Sequence, residues 1–372
     1  MSVVAVVRTS PETVLEDYGR VMRLAGYQRA LAPDRETILK LNLSWTLFFP
    51  ACSSPPWQLD GVLRAMLEDG YRRESLFPVE NKTVVTDPWQ GAANNGWLPI
   101  LERENIPFTA LPEVEWTRFP FQSEFMVLNT IFPEGIDIPK MFVGRNVLHM
   151  PTVKTHGHST TTGAIKNSFG GLLKEVRHYC HEFIHETLVD LLLMQRELHP
   201  GVFAVMDGAV AGDGAGPRTM LPRIKNVLLA SADQVAIDSV AASMMGFDPW
   251  EIPYLRMAHE RGLGCADLGS IEIVGDPDAA RERWDFEAKR SFVIWGDQML
   301  RKGGLRMLKK PLLHSPLMGW APAASNAYHD AWWYPMVGRK YVQDFLATEW
   351  GDVFRRYVPS ALPAEERKPV LK

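Results

Sequence analysis

Short β-branched and aliphatic runs alternate with amphipathic stretches over residues 1–275, and this alternation constrains the fold more than any other feature. Val3–Val7, Ile38–Leu43, Ser75–Val79, Phe108–Leu111, Phe125–Phe132, Val147–Pro151, Val202–Met206, Asn226–Ala230 and Ile271–Val274 read as strands. Between them, Pro11–Arg23, Pro56–Asp69, Asn95–Glu104, Gly163–Leu173, Glu182–Leu198, Asp233–Met245 and Pro253–Arg261 read as helices. Strands that alternate with helices at this spacing predict βαβ units. The expected fold is therefore α/β, with mainly parallel sheet flanked by helices.

The predicted body, residues 1–275, is divisible into two α/β lobes, 1–145 and 146–275. From about Asp276 the composition changes: six of the twelve tryptophans lie between Trp284 and Trp350. Residues 276–372 are expected to form an ordered aromatic-rich C-terminal extension, because aromatic richness and disorder rarely coincide. Its Trp332-Trp333-Tyr334 run is expected to pack on the body, with the lining of a ligand pocket and a homo-oligomer contact as the other readings.

A net charge of −4 leaves no global basic field for nucleic acid. Arg301–Lys310 is the local exception, read as a solvated face before a phosphate or membrane-surface contact. No run approaches the roughly 20 apolar residues of a membrane span. The opening MSVVAVVRTSPE lacks the form of a secretory leader, so the expected location is cytoplasmic. Three dispersed cysteines, Cys52, Cys180 and Cys265, argue against a disulfide framework and against an iron–sulfur cluster ligated by this chain.

The tract His149–Gly171 (HMPTVKTHGHSTTTGAIKNSFGG) concentrates the candidate chemistry. Histidines, lysines, hydroxyls and glycines at this density suit a loop and helix start that hold a small anion. In this reading the helix near Thr162 offers free N–H groups, while Lys154 and Lys166 supply charge. Thr155, Thr162 and Asn167 contact the substrate, and His156 or His158 moves a proton. Ligands of parallel sheets sit beyond the carboxyl ends of strands, which adds Asn42, Asp207 and Asp213. The last two belong to a glycine-rich stretch, Asp207–Pro217, read as a loop.

His181-Glu182-Phe183-Ile184-His185 matches the H-E-x-x-H zinc pattern. Residues four apart share a helix face, so His181 and His185, with His178 one turn earlier, are candidate ligands of a divalent metal. Asp233 reads as a helix cap, and Asp238, set among alanines, is expected to turn towards the site.

Four blocks carry a resemblance: PTVKTH, TGAIKNSFGG, VMDGAVAGDGAGP and ASADQVAIDSVAASMMGFDP. In this order, over about Ile38–Asp276, they resemble the bacterial and archaeal family named domain of unknown function 362. Many of its members carry ferredoxin-like clusters, whose cysteines this chain lacks. Where the family often has Lys-Pro-Asn, this chain has Lys40-Leu41-Asn42. The His156–Lys166 spacing is also similar to that of lactate racemase, where the lysine anchors a nickel-pincer nucleotide and the histidine acts as acid/base. Together the resemblances imply redox or proton/hydride transfer on a small anionic carboxylate or phosphate. A metal-dependent hydrolase and a non-catalytic binding or assembly protein are the alternatives.

Overall fold

In the computed structural model the described residues are 1–83, 85–301, 303 and 320–358. The fold is α/β, as expected, and its centre is a ten-stranded, mostly parallel sheet. The strands are β1 (Ser2–Arg8), β2 (Thr37–Lys40), β3 (Leu76–Glu80), β4 (Thr109–Ala110), β7 (Asn146–His149), β8 (Thr152–His156), β9 (Thr160–Thr162), β10 (Val202–Ala215), β11 (Thr219–Ser231) and β12 (Ile271–Gly275). Their order is β12-β1-β11-β10-β7-β2-β3-β4, with β8 paired to β10 and β9 to β8. A separate antiparallel ribbon joins β5 (Trp116–Phe119) to β6 (Ile136–Pro139).

The period-two alternation of the strands distributes their side chains between two faces. Leu39, Leu148, Phe203 and Val205 face a core containing helices Val14–Leu24 and Pro56–Glu68. Ile38, Val79 and Val147 face the opposite core, with helices Ala164–Leu172 and Ile184–Leu198. A third cluster joins Val4, Val6 and Met206 to helix Gln234–Met245. On that helix Asp233 is the cap, as expected, accepting from the Val235 and Ala236 N–H groups.

Several expectations need correction. Phe125–Phe132 is a turn leading into the short helix Leu128–Ile131, not a strand. The buried Asp190 carboxylate takes the N–H groups of Met126, Val127 and Leu128, which a sheet ladder would have needed. Nor is the tract after His149 mainly loop: it contains the buried antiparallel pair β8–β9. Asp207 and Asp213 lie on a strand, since β10 continues to Ala215 and pairs with β11 through a bulge at Gly208/Val210. Finally, α-helix begins at Ile184, and Glu175–Phe183 is 3-10.

The aromatic extension caps the first core. Trp333, Phe345, Trp350 and Phe354 are buried there, and the Trp350 indole lies 5.1 Å from that of Trp57. Trp332, by contrast, is 53% exposed. Most of Arg301–Lys310 falls outside the described residues.

Candidate functional site

Parallel register brings the carboxyl ends of the central strands together. Lys40 on β2 lies beside Val79 of β3 and His149 of β7, and the chain then leaves the sheet at Glu80 and Leu41. Lys40 and Glu80 form a buried ion pair at 2.8 Å, and Glu80 Oε1 also accepts from the Asn81 N–H. Asn81 in turn donates to the Gly170 and Leu173 carbonyls, which ties β3 to helix Ala164–Leu172. Asn167 donates to the Lys40 carbonyl from that same helix. Neither Lys40 nor Glu80 was among the site residues expected from the sequence. The signals available were the family motif around Lys40 and the position of Glu80 just after a predicted strand.

Lys154 is fully buried, and its ammonium donates to Asn42 Oδ1, the Cys52 carbonyl and Thr152 Oγ1. All three acceptors are neutral, so burial dominates and lowers its pKa to about 8. Thr155 Oγ1 donates to the Gly214 carbonyl and Thr162 Oγ1 to the Lys154 carbonyl. Lys154, Asn42 and Thr162 therefore share one hydrogen-bonded network, while Thr155 and Asn167 are tied separately to Gly214 and Lys40. These side-chain hydrogen bonds all run to other groups of the protein.

The anion cradle expected at the start of helix Ala164–Leu172 is filled from within. The Asp238 carboxylate accepts from the Ala164 and Ile165 N–H groups at 2.6 and 3.2 Å, supplying the negative charge a helix N-terminus favours. Gly163 makes this approach possible, because a Cβ there would lie 2.1 Å from Asp238 Oδ1. Burial raises the Asp238 pKa to about 7, against the pull of those two N–H groups.

Asp207 and Asp213 do not join the network. Asp207 sits in the first core, accepting from the Tyr18 hydroxyl and the Trp57 indole, and burial raises its pKa to about 6. Asp213 accepts from the Glu287 N–H and pairs with Arg223.

The histidines gather on the other side of the β8–β9 turn. His156 and His158 have ring centroids 5.8 Å apart, and His158 and His181 5.2 Å apart. His156 Nδ1 accepts the His158 and Ser159 N–H groups, which leaves its proton on Nε2. Burial, then the positive charge of Lys166, holds its pKa well below the usual histidine value. The Lys166 ammonium lies 5.7 Å over the Phe169 ring. A cavity of about 420 Å³ opens here, lined by His158, His181, His185, Arg290, Trp295 and Arg301 among others. Arg290, Trp295 and Arg301 had not been singled out from the sequence as site residues.

The described part of this lining contains five cationic or imidazole side chains and no carboxylate. Such a wall suits an anion, because guanidinium and imidazole N–H groups make charge-assisted hydrogen bonds to oxyanions. Among the described residues, no three His, Cys, Asp or Glu side chains come together as metal ligands. The His178 side chain lies outside the described residues. No helix among the described residues is long and apolar enough to cross a membrane.

Comparison with known proteins adds three findings. The family model described as domain of unknown function (DUF362) matches residues 37–243. A thylakoid-associated protein of Synechocystis sp. is 28% identical over 179 residues, which are 46% of this chain and 52% of that protein. The chain thus spans about half the length of this curated relative. A Thermotoga maritima protein of known structure aligns over 57% of this chain and 53% of its own, with 11% identity and a TM-score of 0.37.

Proposed function

The chain belongs to the DUF362 family, and we propose that it is an enzyme that transfers a proton or hydride on a small anionic substrate held in the histidine–arginine cavity. The observation that carries this reading is the lining. His158, His181 and His185 come from two segments inside the family match, while Arg290 and Arg301 come from beyond it.

His158 is the proton carrier in this proposal, because it lines the cavity, whereas the ring behind it, His156, has its Nδ1 committed to the turn. Lys166 acts electrostatically on His156, while Lys154, Asn42 and Asn167 are committed to hydrogen bonds elsewhere within the body. The hydrolase alternative needs a divalent metal, and among the described residues no three candidate ligands come together to hold one.

Calorimetric titration of the full chain with orthophosphate and with lactate tests the binding step. At least one should bind with a dissociation constant in the millimolar range or below, and Arg290→Met should weaken it about tenfold or more, the loss expected for one charge-assisted contact. Failure of both anions to bind removes the reading.

A further inference from the structure

The mouth of the cavity has a second chemical character. Helix Phe292–Arg301 forms one wall, and it is seated against the β8–β9 turn. Gln298 Nε2 donates to the Gly157 carbonyl, and the missing side chain of Gly157 admits Ile294, whose Cδ1 would lie 2.8 Å from a Cβ there. This helix presents buried and exposed groups in sequence. Arg301 is 5% exposed and faces the cavity. Trp295, also in the lining, is 49% exposed, and its ring stacks at 5.8 Å on that of Phe292, which is 70% exposed.

A stacked aromatic pair in water beside a cationic cavity is costly unless something apolar covers it. The two features are continuous through Trp295. One ligand satisfies both: an oxyanion for the guanidiniums and imidazoles, joined to an apolar portion that lies along the aromatic pair. Two guanidiniums flanked by three imidazoles, all able to donate hydrogen bonds, favour an anion with several charged oxygens, which among common headgroups means a phosphomonoester over a carboxylate.

Resting on the anion-site reading above, we propose that the substrate class is an amphipathic phosphomonoester, with its phosphate among His158, His181, His185, Arg290 and Arg301 and its apolar part on Phe292 and Trp295. Specificity for the apolar part then resides in a helix that lies outside the family match.

The test titrates the full chain with orthophosphate and with hexyl phosphate, in the wild type and in Phe292→Ala. Phe292 is largely exposed, so the substitution leaves the fold intact, which a thermal melt verifies. Hexyl phosphate should bind about tenfold or more tighter than orthophosphate, since each buried methylene adds about threefold or more. Phe292→Ala should remove most of that advantage and leave orthophosphate affinity unchanged. Equal affinities for the two ligands, or an equal loss of both in the variant, overturn the proposal while the anion site stands. Failure of both phosphates to bind overturns the proposal, and failure of lactate as well removes the anion-site reading. Given tight hexyl phosphate binding, co-sedimentation with phosphatidic acid vesicles identifies a lipid as the source of the headgroup, and its absence identifies a soluble phosphomonoester.

Discussion

Gly163 and Asp238 lie 75 residues apart in sequence and meet across two helices, so neither has an evident role until both are in place. Adding a methyl group at Gly163 forces the Asp238 carboxylate off the helix start. Gly163→Ala is therefore expected to destabilise the fold by about 2–3 kcal/mol, the cost of orphaning two buried N–H groups, and chemical denaturation checks it. A second residue-scale prediction concerns the Lys40–Glu80 pair. Lys40→Met leaves a buried carboxylate without its cation and should cost about 3–5 kcal/mol. The double variant Lys40→Met/Glu80→Gln should recover most of that loss, because no buried charge then remains. A double variant as unstable as the single one would refute this account.

At the scale of elements, helix Phe292–Arg301 depends on a single glycine. Gly157→Val would push Ile294 away from the β8–β9 turn and tilt the cavity wall. Orthophosphate affinity should fall at least fivefold, while the melting temperature changes little, because among its described side chains helix Phe292–Arg301 contributes only Leu300 and Arg301 to the buried set. An unchanged affinity would mean that this helix does not shape the site. Elements also show how far the sequence could be read. β1, β2, β3, β7 and the helices beginning near Pro56, Gly163 and Asp233 emerge from periodicity and end signals, since their apolar faces are continuous in sequence. Phe125–Phe132 did not, because a distant carboxylate, Asp190, rather than any local preference decides its backbone. The β8–β9 pair was also hidden: its polar side chains read as loop, yet all of Thr152–His156 is buried.

For the molecule as a whole, acid stability reflects two opposed groups of buried residues. Burial lowers the pKa of His149 and His329 to about 3 and that of His199 to about 4. Below the unfolded value near 6.5 the unfolded chain takes up protons that these folded imidazoles refuse, so stability falls as pH drops from there towards 3–4. Asp207 and Asp238 act in reverse. Their raised values mean that the folded state binds protons first, so they favour folding as pH falls from about 7 towards 4. The wild-type profile should thus be shallower than the histidines alone would give. His149→Gln, which can retain a hydrogen bond to Gln195, should gain about 1.4 kcal/mol per pH unit relative to the wild type between pH 6 and 4. Urea unfolding at several pH values measures it, and parallel profiles would show that His149 is not the acid-sensitive group.

The sequence by itself determined the α/β class, the cap at Asp233 and the family, because each follows from periodicity or from residues close together in the chain. Tertiary structure alone decided what the candidate polar residues do. Lys154, Asn42 and Asn167 became internal ties, and Asp238 took the helix N-terminus that looked open to a ligand. The anion-suited wall moved to the histidines and to Arg290 and Arg301, more than 100 residues further on. The physical reason is that a buried polar group must find a partner, and which one it finds depends on the approach of segments far apart in sequence. Local pattern carries no record of that approach.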